Sequence, residues 1–217
     1  SQGIVEEVNE NSFTVQFDNR RTITDEIPIT RITLWDNDIS GFYAEPIYFP
    51  KRRLLGGNRV EFEGRLPQRL RGAHMAAPHS FHSRPAIFIG NSISTILDGV
   101  TIHSQPGMGI VGFDSTDITI RRLSVSPADG FMFSTNTDAT HFASCRGKIS
   151  FDGCFFRGQG DDATNVHGYY HNIASVDNGT VTLQLQAPTF THAQVADVPR
   201  VGDRMALVRI APLVPET

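Results

Sequence analysis

Leu97-Asp98-Gly99-Val100-Thr101-Ile102, Ile120-Arg121-Arg122-Leu123-Ser124-Val125 and Phe151-Asp152-Gly153-Cys154-Phe155-Phe156 share one spacing, apolar at the first, fourth and sixth places. They recur at offsets of 23 and 31 residues. A second series runs beside them: Gly109-Ile110-Val111-Gly112-Phe113, Asp138-Ala139-Thr140-His141-Phe142 and Asp162-Ala163-Thr164-Asn165-Val166. Repeats of roughly 20–50 residues made of short strands, without helical periodicity, are the mark of a solenoid. About three strands per repeat predict an all-β fold, a right-handed parallel β-helix whose coils stack at about 4.8 Å. About four coils are visible, so capping by flanking structure is expected.

On either side the texture changes to hairpins. Ile4-Val5 and Ser12-Phe13-Thr14-Val15-Gln16-Phe17 alternate apolar and polar around Asn9-Glu10-Asn11, and Ile27, Ile29, Ile32, Leu34, Val60 and Phe62 continue the pattern. Residues 1–72 are therefore predicted to be an incomplete β-barrel-like segment, followed by a basic connector, Arg65 to His82. Residues 73–170 are assigned to the β-helix and the active site. Ile173-Ala174-Ser175-Val176 and Thr180 to Leu185 flank Asp177-Asn178-Gly179, a tight-turn signal. With Met205 to Arg209 they predict that 171–217 opens a second, truncated β-barrel. No helix is expected.

Composition excludes several classes. The 217 residues carry a net charge of −4 and a pI of about 6.0, against the concentrated basic surface of a nucleic-acid binder. No apolar run approaches the roughly 18 residues of a membrane span. The start lacks an initiator Met and a signal peptide, and the apolar end has no stop pattern, so a segment of a longer polypeptide is expected. Cys145 and Cys154, nine residues apart, match neither a zinc nor a CxxC spacing and read as thiols in or near the core.

The chemistry rests on acids. Asp138-Ala139-Thr140 and Asp162-Ala163-Thr164 are one tripeptide repeated 24 residues apart, which a β-helix would stack. Asp161 brings a third carboxylate beside them. Like charges so close cannot all ionise freely, and a protonated acid beside an ionised one is what glycoside hydrolysis uses. A calcium site or plain turn acids are the alternatives. Asp114, also 24 residues before Asp138, is excluded because the hydrophobic register pairs Gly109 with Asp138 and sets Asp114 opposite Ala143. In that register Phe113, Phe142 and Val166 point inward. His141, Asn165 and His167 then lie on the outer face with Asp161, suited to hydrogen-bonding sugar hydroxyls. Arg146 and Arg157 are the basic residues best placed to pair with the acids or an anionic sugar; Arg121, Arg122 and Lys148 read as solvated edges. Trp35 reads as a barrel-core residue before a sugar-stacking one, and His74, His79 and His82 as loop residues without metal geometry.

Phe133-Ser134-Thr135-Asn136-Thr137-Asp138-Ala139-Thr140-His141-Phe142 and Gly158-Gln159-Gly160-Asp161-Asp162-Ala163-Thr164-Asn165-Val166-His167-Gly168 together resemble glycoside hydrolase family 110, bacterial exo-acting α-1,3-galactosidases. The likeness is clearest over 84–170. It implies a β-helix with attached or inserted β-barrels and a catalytic set of Asp138, Asp161 and Asp162. It also implies an inverting reaction without metal or cofactor on terminal α-1,3-linked galactose, as in blood group B glycans, and a secreted or periplasmic setting. In that mechanism Asp161 would protonate the glycosidic oxygen while Asp138 or Asp162 activates water. The partners expected are an oligosaccharide or glycoconjugate substrate and, from exposed coil ends, a second copy of the chain. The polygalacturonase-like family 28 shares Asn136-Thr137-Asp138 and the following acid pair, but its Gly-His-Gly and Arg-Ile-Lys have no counterpart in place. Family 87 α-1,3-glucanases share the aspartate spacing without the surrounding string. A non-catalytic carbohydrate-binding β-helix is the third reading.

Overall fold

The computed structural model describes residues 1–36, 38–39, 41–80, 84–184, 199–210 and 213–215. The chain divides into two compact units, Ser1–His167 and Gly168–Thr217.

The first unit opens with β1 (Gln2–Val8), β2 (Ser12–Phe17), β3 (Arg31–Asp36), β4 (Gly41–Phe42), β5 (Ile47–Tyr48), β6 (Arg52–Gly56), β7 (Arg59–Glu63) and β8 (His74–Ala76). These eight antiparallel strands form one sheet in the order β4-β3-β8-β1-β2-β7-β6, with β5 also on β3. The period-two pattern places Phe13, Val15, Phe17, Ile32, Leu34, Val60, Phe62 and Met75 in one core, each no more than 3% exposed. Phe62 stacks on Phe13 at 5.6 Å and meets Phe17 edge-on at 6.3 Å. β8 lies between β1 and β3, which carries this sheet beyond residue 72 into the expected connector. His74 is an exposed residue of β8, and His79 binds the Pro28 carbonyl through Nδ1 at 2.8 Å. His82 lies outside the described residues.

The unit continues with β9 (Ile87–Gly90), β10 (Ile93–Asp98), β11 (Thr101–Ile102), β12 (Ile110–Phe113), β13 (Thr116–Arg121), β14 (Ser124–Val125), β15 (Thr140–Ala143), β16 (Arg146–Asp152), β17 (Phe155–Phe156) and β18 (Thr164–His167). Each third strand pairs with the one before it, giving three parallel sheets: β18-β15-β12-β9, β10-β13-β16 and β11-β14-β17. The first repeated series lands in register as expected, with Leu97, Ile120 and Phe151 in one column and Ile102, Val125 and Phe156 in another. Ile89, Ile102, Ile110, Ile118, Ile120, Leu123, Val125 and Phe142 fill the space between the sheets, with Cys145 and Cys154 packed against them as free thiols. Burial pushes the Cys145 thiol above its ordinary value.

The turns repeat too. Asn91, Asp114 and Ser144 follow β9, β12 and β15 with φ of 48°, 43° and 55°, and Gly99, Arg122 and Gly153 follow β10, β13 and β16 with φ of 69°, 48° and 59°. One residue in the left-handed region reverses the chain sharply, a conformation that Asn, Asp and Gly adopt most cheaply. Asp114 is thus a corner residue, which accounts for an acid outside the catalytic pattern.

One column differs from expectation. β12 pairs Ile110 with Thr140 and Phe113 with Ala143, so Gly109 meets Ala139 rather than Asp138, and Asp114 falls level with Ser144. A slip of one residue turns every side chain to the other face. Phe113 therefore shares its row with Ala143 and His167, and Gly112 occupies the inward place beside Phe142. A Cβ on Gly112 would lie 2.5 Å from Phe142 Cδ1, so the glycine is what lets that ring lie flat over β12. Val166, expected inward, is on the edge strand and 59% exposed.

The second unit contains the expected hairpin, β19 (Asn172–Asp177) and β20 (Thr180–Gln184), turned at Asn178-Gly179 with φ of 47° and 77°. Leu185, expected in its second strand, lies outside the described residues. β21 (Val208–Ile210) and β22 (Leu213–Pro215) form a further antiparallel pair.

Candidate active site

The three sequence-derived aspartates converge. One carboxylate oxygen from each of Asp138, Asp161 and Asp162 lies within 4.8 Å of the other two. Asp138 is buried and the other two are exposed. Two turns carry them: residues 133–139 lead into β15, and 157–163, one repeat later, lead into β18. Thr135 bridges to Gln159, and Ala139 N–H donates to the Asp162 carbonyl at 2.9 Å, so the repeated Asp-Ala-Thr strings stack on one another.

The upper turn is closed by its own polar side chains. Thr135 Oγ1 donates to the Thr137 carbonyl at 2.7 Å, Asn136 Nδ2 donates to the Ser80 carbonyl, and Thr140 Oγ1 donates to the Ala163 carbonyl at 3.2 Å. Every residue from Ser134 to His141 is buried. Burying polar groups is costly unless they find partners; the Thr135 and Thr140 hydroxyls and the Asn136 amide do so here, whereas Thr137 Oγ1 has none among the described residues.

Asp138 is held from behind. His141 Nδ1 donates to Asp138 Oδ2 at 2.6 Å, both groups nearly sealed from solvent, and His141 Nε2 meets His167 Nε2 at 2.8 Å. With its Nδ1 proton directed at the carboxylate, His141 has Nε2 left for the bond to His167. The result is a chain from a buried carboxylate through one buried imidazole to a second, half-buried one. It fixes the carboxylate's direction and links it to a group near solvent.

Among the other sequence-derived candidates, Asn165 is in register with His141, and His167 with Ala143; both are half-buried. His141 is 3% exposed and contacts Asp138 and His167. Arg146 begins β16, in a different sheet from β15 and β18, and Arg157 follows β17, exposed, with its carbonyl accepting from Ser134 Oγ at 2.8 Å. Trp35 is not a core residue. It shares the outer face of β3 with Arg31 and Thr33, its ring edge-on to Phe42 at 5.6 Å, and Phe42 stacks on Phe133 at 5.7 Å.

That face of β3 supplies a residue the sequence did not disclose. Arg31 is 2% exposed, its Nη2 donates to the Asn136 carbonyl, and its guanidinium lies 5.7 Å from the Phe133 ring centre. Burial pushes the guanidinium below its ordinary value, an effect that Tyr48 and Asp161 oppose. A single Arg in a strand pattern looks like an edge residue; only its neighbours in space reveal otherwise. A cleft of about 610 Å³, lined in part by Arg20, His79, Gln105 and Phe131, reaches Asn136 but none of the three acids.

No family model matches the chain. It is similar to curated proteins named α-1,3-galactosidase. One is α-1,3-galactosidase A of Shewanella woodyi, 36% identical over 104 residues, 46% of this chain and 17% of that protein. α-1,3-Galactosidase B of Phocaeicola vulgatus is 37% identical over 121 residues, 54% of this chain and 20% of that protein. α-1,3-Galactosidase A of Bacteroides fragilis is 30% identical over 149 residues, 57% and 25% respectively. The chain thus spans about a fifth of the length of these relatives. They bear out the resemblance to α-1,3-galactosidases carried by Phe133–Phe142 and Gly158–Gly168.

Proposed function

We propose that this chain carries the catalytic centre of a bacterial exo-α-1,3-galactosidase of the family 110 type, removing terminal α-1,3-linked galactose from blood group B-type glycans. The supporting observation is the convergence of three carboxylate oxygens within 4.8 Å on two stacked, repeated turns. Relatives named for this activity add to it. The three parallel sheets are read as the three faces of a right-handed parallel β-helix, with residues 1–72 as its β-barrel-like flank and 171–217 as the opening of another. A secreted or periplasmic setting follows from the resemblance.

In this reading Asp161 gives its proton to the departing oxygen as the C–O bond breaks. Asp138 or Asp162 takes a proton from the water that attacks the anomeric carbon. No cofactor takes part. His141 aims the Asp138 carboxylate, and the more exposed Asn165 and His167 contact sugar hydroxyls. Arg146 and Arg157 remain candidate substrate contacts. Paired carboxyl groups are about 5–5.5 Å apart in retaining enzymes and about 6.5–9.5 Å in inverting ones. The 4.8 Å bound covers one oxygen from each of three carboxylates and does not give the separation of the acid–base pair. The inverting assignment therefore rests on resemblance.

Three experiments on the full-length protein test this. Released sugar is assayed on α-1,3-galactobiose, blood group B trisaccharide and polygalacturonate; release from the first two alone supports the proposal, and none would leave a carbohydrate-binding role. NMR of the first anomer released then decides stereochemistry, initial β-galactose being expected and initial α-galactose refuting inversion. Asp161→Asn removes nearly all activity; a variant retaining most of it displaces Asp161 from the acid role.

A further inference from the structure

We infer that Arg31 is a positioning residue of the acid site, a fixed cation delivered from β3 that pins the two aspartate-bearing turns together. The inference rests on the proposed activity for its kinetic readout but not for its structural one.

Alternation along β3 sends Ile32 and Leu34 into the sheet's core and turns Arg31, Thr33 and Trp35 outward. Outward here does not mean solvated, because Arg31 ends in the wall of the acid site. Its Nη2 donates to the Asn136 carbonyl, two residues before Asp138. The same nitrogen occupies the space that a side chain on Gly160 would need, directly before Asp161-Asp162. One guanidinium therefore touches both turns, which are consecutive repeats of the parallel stack.

A buried guanidinium is costly, and its desolvation must be offset by what it meets. Here the offsets are a carbonyl, the face of Phe133, Tyr48 from the neighbouring β5 and the Asp161 carboxylate. Arg31 Nε has no hydrogen-bond partner among the described residues. A purely structural role would be served better by an apolar side chain. The feature an apolar residue could not supply is charge. Asp161 faces the like charges of Asp138 and Asp162, with His141 and His167 behind Asp138, and Arg31 and Tyr48 on the β3–β5 side. The cation opposes the repulsion among the three acids and keeps Asp161 able to release its proton.

The test compares Arg31→Met, which removes charge and fork, with Arg31→Lys, which keeps charge alone. An opposite charge within about 4–6 Å lowers a carboxyl pKa by roughly 1–3 units. Arg31→Met should therefore move the limbs of the pH–rate profile upward by about one unit. Arg31→Lys should leave the limbs in place and lower kcat by about tenfold through loss of the bond to Asn136. A profile in Arg31→Met at the wild-type position, or full activity in Arg31→Lys, overturns the inference. Carbon-13 titration of the Asp161 carboxyl in wild type and Arg31→Met reads the same shift without substrate. Failure of the galactosidase reading alone would show as an inactive wild type with the Asp161 shift intact.

Discussion

Replacing Gly160 with alanine puts a single methyl group where three parts of the site meet. An ideal Cβ there falls onto Arg31 Nη2 and onto the Asn136 carbonyl oxygen. The arginine has little room to retreat, being 2% exposed, and the carbonyl is backbone. Forcing an extra methylene into such packing costs about 1–3 kcal/mol. In a cooperative unit of 150–250 residues that is a fall in Tm of roughly 2–12 °C, and less in a longer one. The turn has to move, and it carries Asp161 and Asp162. A displacement on the order of 1 Å at a reacting group costs about 100-fold in rate. The expected result is a roughly 100-fold fall in kcat with a modest loss of stability, read by galactose release and thermal melting on the full-length protein. Gly168→Ala is the control, because a Cβ there meets nothing within 4 Å, and it should change neither quantity. Wild-type kcat in Gly160→Ala would refute the claim that Arg31 and Asn136 clamp this turn.

His141→Ala removes the charge-assisted bond to Asp138, a class worth about 1.5–3 kcal/mol, so kcat should fall roughly 10- to 100-fold with KM little changed; a rise in KM alone would mark His141 as a substrate contact. Phe142→Ala, at a fully buried ring lying over Gly112, should cost about 3–5 kcal/mol in denaturant unfolding. Its activity at low temperature should survive if the acid turns stay in place. The hydrogen bond from Arg69 holds the Asp36 carboxyl below the usual carboxylate range. That stabilisation is complete above about pH 4 and is lost as the pH falls through the lowered value. Asp36→Asn should therefore be less stable than wild type at pH 7, and the gap should close on acidification; a constant gap in melting temperature from pH 7 to pH 3 would contradict it.

The acid trio was legible because a stacked fold writes spatial neighbours as repeated strings: Asp138-Ala139-Thr140 and Asp162-Ala163-Thr164 announce their contact by identity. The column through Leu97, Ile120 and Phe151 was legible for a related reason, since strands packed on a common core keep an apolar residue at the same place repeat after repeat. The β12 column was misread by one residue. Matching Phe113 to Phe142 satisfies hydrophobicity, but loops between repeats vary in length, and only close packing of the Phe142 ring against Gly112 selects the true register. Trp35 was misplaced because a large aromatic residue in a strand reads as core, whereas its parity with Arg31 sends it to the other face.

The sequence by itself determined the all-β class, the repeating spacing, the hairpin at Asn178-Gly179 and the identity of the three acids, because each is a local or periodic pattern. Tertiary structure alone decided how those acids are held: His141 behind Asp138, His167 behind His141, and Arg31 brought from a strand about 100 residues away. A contact between segments so distant leaves no spacing to read. It exists only when the outer face of one sheet closes on the turns of another, and there burial gives a single charge its effect.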